Sequence, residues 1–223
     1  MKNMKSLVAQ RAVGEVKEGM TIGLGTGSTA AYFIKHLAER CNSGLNIQAV
    51  ATSQASEAQA RSEGIEVLSI DEVNSVDLTV DGADNVNAKK DLIKGLGGAL
   101  FREKITASIS KKICIIVDES KLCNEFENFI LPVEVNPFAW KLTAQKIRSK
   151  GFEGDFRYAK DQTIYITDNG NYIFDLNYRG LCDDPRLMDQ KIQSIIGVVE
   201  TGYFLGMADL IFVGKSSGII EIR

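Results

Sequence analysis

Hydrophobic positions change period several times along the chain, and each change predicts an element. Apolar residues recur at helical spacing over residues 7–16, and residues 20–24 then form a short apolar run that predicts a strand. Glycines 23, 25 and 27 follow at once. Beyond them Ala30, Phe33, Ile34, Leu37 and Ala38 fall at i, i+3, i+4, i+7 and i+8, the stripe of an amphipathic helix. Residues 47–51 predict the next strand, Ser53 a helix N-cap, Gly64 a helix stop and residues 65–68 a further strand. Residues 77–80 read as a strand, 98–109 as a helix and 113–117 as a buried strand. This βαβα order predicts an α/β fold with a mostly parallel, doubly wound sheet.

The pattern changes after about Phe126. Leu131-Pro132-Val133-Glu134-Val135 precedes a helix predicted over residues 138–149. Alternating segments at 163–167 and 172–176 flank Asp168-Asn169-Gly170-Asn171, an antiparallel hairpin signal because Asn-Gly tolerates positive φ. Another helix is predicted over 185–195, and residues 208–214 read as a strand returning to the main sheet. The expectation is a main α/β domain of residues 1–127 plus 204–223, carrying a small α+β insertion at 128–203.

Composition narrows the function classes. With 223 residues, 44% hydrophobic and 25% charged, the chain has ordinary globular usage. Its net charge of −3 and the scatter of its 26 basic residues leave no footprint for nucleic acid. The densest apolar run, Ile113-Cys114-Ile115-Ile116-Val117, is far short of a membrane span, and the N-terminus interleaves charges where a signal peptide would be apolar. Cysteines 41, 114, 123 and 182 form no Cys-x-x-Cys pair, and the single histidine, His36, removes the usual zinc spacings. Reduced thiols in a cytoplasmic protein, without a zinc site, are the expectation.

In open α/β sheets ligands lie beyond the carboxyl ends of the strands. Three segments occupy that position: Gly23-Leu24-Gly25-Thr26-Gly27-Ser28-Thr29, Asp81-Gly82-Ala83-Asp84 and Asp118-Glu119-Ser120-Lys121. The glycine loop brings backbone N–H groups, hydroxyls and a helix N-terminus together, as a phosphate dianion requires, although a tight structural turn would look the same. It lacks the lysine of a Walker loop, and Ser28 stands where the dinucleotide fingerprint needs glycine. Asp81 and Asp84 suit sugar hydroxyls or proton transfer, and equally suit turn chemistry. Lys94-Gly95-Leu96-Gly97-Gly98 sets a cation beside a glycine-rich bend that would stabilise an oxyanion or simply cap a helix. Glu103, one turn into that helix, is a general base if it projects inward and a solvated charge if it does not. Lys121 would add a mobile point charge for a phosphate.

Taken in order and spacing, these segments resemble ribose-5-phosphate isomerase of the A type. The resemblance runs nearly end to end through Gly23–Ala30, Asp81–Asp84, Lys94–Ala99, Arg102-Glu103-Lys104, Leu131–Val135 and Gly197-Val198-Val199-Glu200. It implies interconversion of D-ribose 5-phosphate and D-ribulose 5-phosphate in the pentose phosphate pathway, without metal or organic cofactor. By the same resemblance Thr26, Gly27, Ser28, Thr29 and Lys121 bind substrate through its phosphate. Asp81, Gly82, Ala83, Asp84, Lys94, Gly95, Leu96 and Gly97 surround the sugar, and Glu103 is the base. The implied fold is a Rossmann-like domain with a ferredoxin-like insertion, assembled as a homodimer. Two rivals use related architecture: a non-catalytic sugar-phosphate sensor, and a coenzyme A transferase with a glutamate nucleophile.

Overall fold

The structure, a computed structural model, describes residues 4–222. In chain order its elements are α1 (Met4–Val13), β1 (Thr21–Leu24), α2 (Ser28–Asn42), β2 (Gln48–Ala51), α3 (Gln54–Ser62), β3 (Leu78–Asp81), β4 (Asn85–Val86), β5 (Leu92–Ile93) and α4 (Leu100–Ser108). There follow β6 (Ile113–Asp118), β7 (Ile130–Val135), α5 (Trp140–Ser149), β8 (Gly154–Phe156), β9 (Tyr172–Asn177), α6 (Pro185–Gln193), β10 (Val198–Thr201), β11 (Tyr203–Phe204), β12 (Leu210–Lys215) and β13 (Gly218–Ile222).

Contacts divide the chain into two compact units. The first holds the residues up to Ala83, Arg102–Leu122 and those from Met207 onward; the second holds Asp84–Phe101 and Cys123–Gly206. The second unit therefore takes in residues 84–101 as well as the segment expected as an insertion.

The first unit is built on a six-stranded sheet in the order β13-β12-β6-β3-β1-β2, parallel throughout except for β13. Its strands β6 and β12 are near-continuous apolar runs, as strands buried on both faces are. The residues of β6 from Ile113 to Val117 are all buried, and Cys114 is fully inaccessible, so burial pushes its thiol up to about 12. α2 buries Ala30, Phe33, Ile34, Leu37 and Ala38, the five positions of the predicted stripe. Ser53 caps α3 by accepting the N–H of Ser56 at 3.1 Å. The first helix starts earlier than its periodicity suggests and stops at Val13. Gly14 follows, and the Arg40 guanidinium takes the carbonyls of Val13 and Val16 at 2.6 and 3.1 Å, satisfying groups that a longer helix would have used.

Two predicted strands are corrected. Residues 65–68 make a single bridge, Val67 to Ala49, because Ser69 immediately forms a capping box that turns the chain into a short 3₁₀ helix. The 163–167 segment forms only isolated bridges, to Tyr158 and Tyr172. The turn itself is present, with Thr167 N–H donating to Asn171 O at 2.8 Å and Gly170 at φ +78°. However, β9 already pairs with β7 along one edge and β8 along the other, so no length of ladder remains for 163–167.

In the second unit β7, α5, β8, β9, α6 and β10 follow one another as βαββαβ, and their antiparallel sheet has the order β10-β7-β9-β8. This is the ferredoxin-like arrangement. Its core gathers Phe126, Phe129, Leu131, Val133, Phe174, Ile192 and Tyr203. β11, β5 and β4 form a separate three-stranded antiparallel sheet in the same unit. β12 then returns the chain to the first unit, where it pairs in parallel with β6.

Candidate active site

In the first unit the carboxyl ends of β1, β3 and β6 share one edge of the sheet, because the three strands are parallel neighbours in near-level register: Gly23 opposite Thr79, and Asp81 opposite Ile115. At that edge β1 runs into the glycine loop. Gly25 is there because a side chain cannot be: a Cβ would lie 2.2 Å from Asp81 Oδ1 and 2.6 Å from Asp81 Cα. The close approach lets the Thr26 N–H donate to Asp81 Oδ1 at 3.0 Å, and the Gly82 N–H donates to the same oxygen at 2.7 Å. Asp81, 3% exposed, is thus held as an acceptor of backbone donors at the end of β3.

The loop then enters α2. Gly27 occupies the N-cap at φ +104° with no side chain to satisfy the first-turn N–H groups, and no acidic residue stands in that turn. Thr26 Oγ1 lies 2.7 Å from Thr52 Oγ1, which itself donates to Leu24 O, so the start of the loop is braced from β2. Ser28 is exposed and Thr29 partly so. This collection of N–H groups and hydroxyls at a helix start is suited to an anion.

Two lysines bring positive charge to the same part of the unit. Lys121 ends the short turn Glu119–Lys121 that follows β6. Lys5, which the sequence reading passed over, reaches from α1 to place Nζ 2.8 Å from Ser28 Oγ. Nothing in its helical neighbourhood marked it, since it lies 23 residues from Ser28 and only the packing of α1 brings it there. Both lysines are felt by Asp118: burial alone would raise its pKa, but hydrogen bonds from Ser120 and the charges of Lys121 and Lys5 outweigh that and hold the carboxyl below its usual range.

Glu103 is 5% exposed, so it is not the solvated charge that Arg102-Glu103-Lys104 suggests in isolation. The reason lies one turn further along α4. Gly23 has no side chain, and a Cβ there would meet Thr79 Oγ1 at 2.1 Å and Thr106 Cγ2 at 3.0 Å, so the helix lies directly on β1 and β3 at Thr106. Ser110, just beyond the helix, bonds Thr79 Oγ1 at 2.6 Å and bridges Val76 at the amino edge of the sheet. The helix therefore runs from the carboxyl edge to the amino edge. Glu103, three residues before Thr106 and on the same face, sits roughly 4.5 Å nearer the edge that carries Asp81 and Thr26.

The other expected residues belong to the second unit. Asp84 accepts the Leu96 N–H on Oδ2 at 3.0 Å, which ties the second glycine-rich bend to the acidic segment. Lys94 is 3% exposed, with Nζ 5.4 Å from the centre of the Phe204 ring and its N–H on Gly202 O at 2.8 Å. Gly95 and Gly98 adopt φ +99° and +83°, while Leu96 and Gly97 are exposed. His36 has a structural setting, 2.9 Å from Ser6 Oγ and 3.1 Å from Glu39. Among the described residues no group of three His, Cys, Asp or Glu side chains is arranged to hold a metal ion, and no helix is long and apolar enough to cross a membrane.

Fold and site together define a Rossmann-like α/β protein with a ferredoxin-like unit, in which a glycine loop flanked by Lys5 suits a small anionic ligand. A sequence profile for ribose 5-phosphate isomerase A (phosphoriboisomerase A) matches residues 48–218. The chain is 46% identical to ribose-5-phosphate isomerase A of Bacillus mycoides over 99% of its own length and 100% of the relative's. It is 43% identical to that of Protochlamydia amoebophila, covering 98% and 94% of the two chains. Among solved structures, ribose 5-phosphate isomerase A of Methanocaldococcus jannaschii superposes with a TM-score of 0.93 at 38% identity, over 99% of this chain and 98% of that one. A D-ribose-5-phosphate isomerase solved in complex with phospho-erythronic acid superposes at 0.94 with 37% identity, over 99% and 97%. The chain belongs to the ribose 5-phosphate isomerase A family.

Gly25→Ala tests the loop geometry. The added methyl displaces the Asp81 carboxylate, and titration calorimetry with inorganic phosphate is expected to give an affinity at least roughly tenfold weaker than the parent's. Parent-like affinity would separate the Gly25–Asp81 packing from anion binding.

Proposed function

We propose that this protein interconverts D-ribose 5-phosphate and D-ribulose 5-phosphate, the aldose-ketose isomerisation of the pentose phosphate pathway, through an enediolate. The observation that carries the reading is Glu103, a carboxylate withdrawn from water on the face of α4 that lies on β1 and β3. The Thr26–Thr29 loop and Lys121 bind the phosphate, with Lys5 beside Ser28 adding a further cation. Glu103 removes the proton from C2 of the open-chain aldose, and the electron pair of that C–H bond becomes the C1–C2 double bond as charge moves onto O1. The resulting carboxylic acid returns the proton to C1, while one proton passes from O2 to O1. Lys94 and the N–H groups of the 94–97 segment stabilise the negative oxygen, and Asp81 or Asp84 assists ring opening and the O2-to-O1 transfer.

The ligand of the solved relative fits this scheme. The carboxylate of a phosphorylated four-carbon acid presents two oxygens in one plane, as a cis-enediolate does across C1 and C2. A cytoplasmic setting accords with four free cysteines, two of them buried.

Glu103→Gln keeps the shape and removes the base. Turnover of ribose 5-phosphate is expected to fall at least roughly 100-fold, while the dissociation constant for the substrate stays within about threefold. Near-normal turnover would take Glu103 out of the mechanism.

A homodimer is the assembly we propose. Phe138 and Ile196, 87% and 84% exposed, flank an apolar groove with Leu142 and Val198 in the second unit, a surface that a second copy would cover. Sedimentation should give a dimer for the parent and a monomer for Phe138→Asp/Ile196→Asp; a monomeric parent would refute the assembly.

A further inference from the structure

The 94–98 bend raises a problem that its own sequence does not solve. Gly95, Gly97 and Gly98 have no side chains, and Leu96 is exposed. The bend makes one bond of its own, Gly98 N–H donating to Gly95 O at 2.9 Å, but a segment this permissive loses much conformational freedom when held in one shape and needs support from outside as well. Its carbonyl groups supply the answer. Arg157 Nη1 donates to Leu96 O at 2.8 Å and to Gly95 O at 3.3 Å. The rest of the guanidinium is engaged by Asp175: Nε donates to Oδ2 at 2.8 Å, and Nη2 donates to Oδ1. Arg157 is 15% exposed and lies over the Tyr165 ring, its guanidinium carbon 5.7 Å from the ring centre. Tyr165 in turn closes over Gly98, where a Cβ would lie 2.2 Å from its hydroxyl.

Peptide geometry turns these contacts into a statement about the reaction. In a trans peptide the C=O and N–H point in opposite directions. The peptide joining Gly95 to Leu96 therefore has its carbonyl on Arg157 and its N–H on the far side, where it donates to Asp84 Oδ2 at 3.0 Å. The next peptide has Leu96 O on Arg157, which directs the Gly97 N–H away from the guanidinium in the same way. One cation thus braces two consecutive peptides, sharing Gly95 O with the Gly98 N–H; the first peptide donates to the Asp84 carboxylate, and the second has its N–H on the side away from the guanidinium. A charge on the carbonyl side also polarises each peptide and strengthens its N–H as a donor.

We propose that Arg157, fixed by Asp175, is a positioning residue for the isomerisation. Acting through the peptides of the 95–97 segment, it sets the direction of Asp84 and of the backbone donors that meet the enediolate oxygens. This rests on the function proposed above. Arginine is required because the planar fork serves a carboxylate on one side and two carbonyls on the other; a lysine ammonium in the same place has the charge without that geometry.

The test compares the parent with Arg157→Lys and Arg157→Met in steady-state kinetics, in binding of 4-phosphoerythronate and of inorganic phosphate, and in thermal unfolding. For Arg157→Lys the proposal expects kcat roughly tenfold lower, KM within about threefold and 4-phosphoerythronate binding weakened by a factor matching the loss in kcat/KM, with phosphate affinity unchanged. Arg157→Met should lose more, and millimolar guanidinium should restore part of its kcat. The proposal is overturned if the folded Lys variant keeps kcat within about twofold of the parent, or if the Met variant loses activity only in proportion to its unfolded fraction, with no rescue. A parent that does not isomerise ribose 5-phosphate overturns the functional reading itself and the proposal with it, an outcome distinct from an active parent whose variants are unaffected.

Discussion

The first unit depends on a backbone N–H meeting a buried carboxylate: Thr26 donating to Asp81 across the carboxyl ends of β1 and β3. The bond exists only because Gly25 leaves room for Asp81, with no side chain between the two strands at that level. It fixes where the loop leaves the sheet, and hence where the bare N-terminus of α2 and its flanking hydroxyls stand. A charge-assisted bond of this kind is worth about 1.5–3 kcal/mol, enough to hold a loop rich in glycine in one shape.

A second absence of side chain acts two residues earlier. Gly23 lets Thr106 approach β1 and β3, and that contact sets the level of α4 against the sheet. Glu103 follows from it by helix geometry alone, one turn nearer the edge. Both contacts use glycines of one short segment of β1 and its loop, so the placement of the anion-suited loop and of the buried carboxylate is encoded within about a turn's length of chain. In the second unit a glycine-rich bend is closed by its own Gly98 N–H to Gly95 O bond and braced from outside by the Asp175-Arg157 pair.

Local signals account for what was legible. The α2 stripe, the Ser53 cap and the glycine loop each carry their information within a few residues, and the structure places all three as expected. The return of residues 208–214 to the main sheet as a strand was also readable, whereas their place beside β6 was not. What was not readable depends on occupancy elsewhere. Residues 163–167 have strand composition, but β7 and β8 already fill the edges of β9. Residues 65–68 look equally extended, yet the Ser69 capping box ends their pairing after one bridge. Lys5 and Arg157 were missed for the same reason, since their partners lie 23 and 61 residues away and neither stands in a motif. Glu103 was legible as a candidate base, and its burial excludes the alternative of a solvated surface charge.

The proposed isomerisation turns on whether the Glu103 carboxylate moves the proton at C2. Proton exchange at that carbon, followed by nuclear magnetic resonance with ribose 5-phosphate in heavy water, reads this step directly and needs no completed turnover. The parent should introduce deuterium at C2, and Glu103→Gln should do so at least roughly 100-fold more slowly while still binding the sugar phosphate. Exchange at the parent's rate in the glutamine protein would contradict the account.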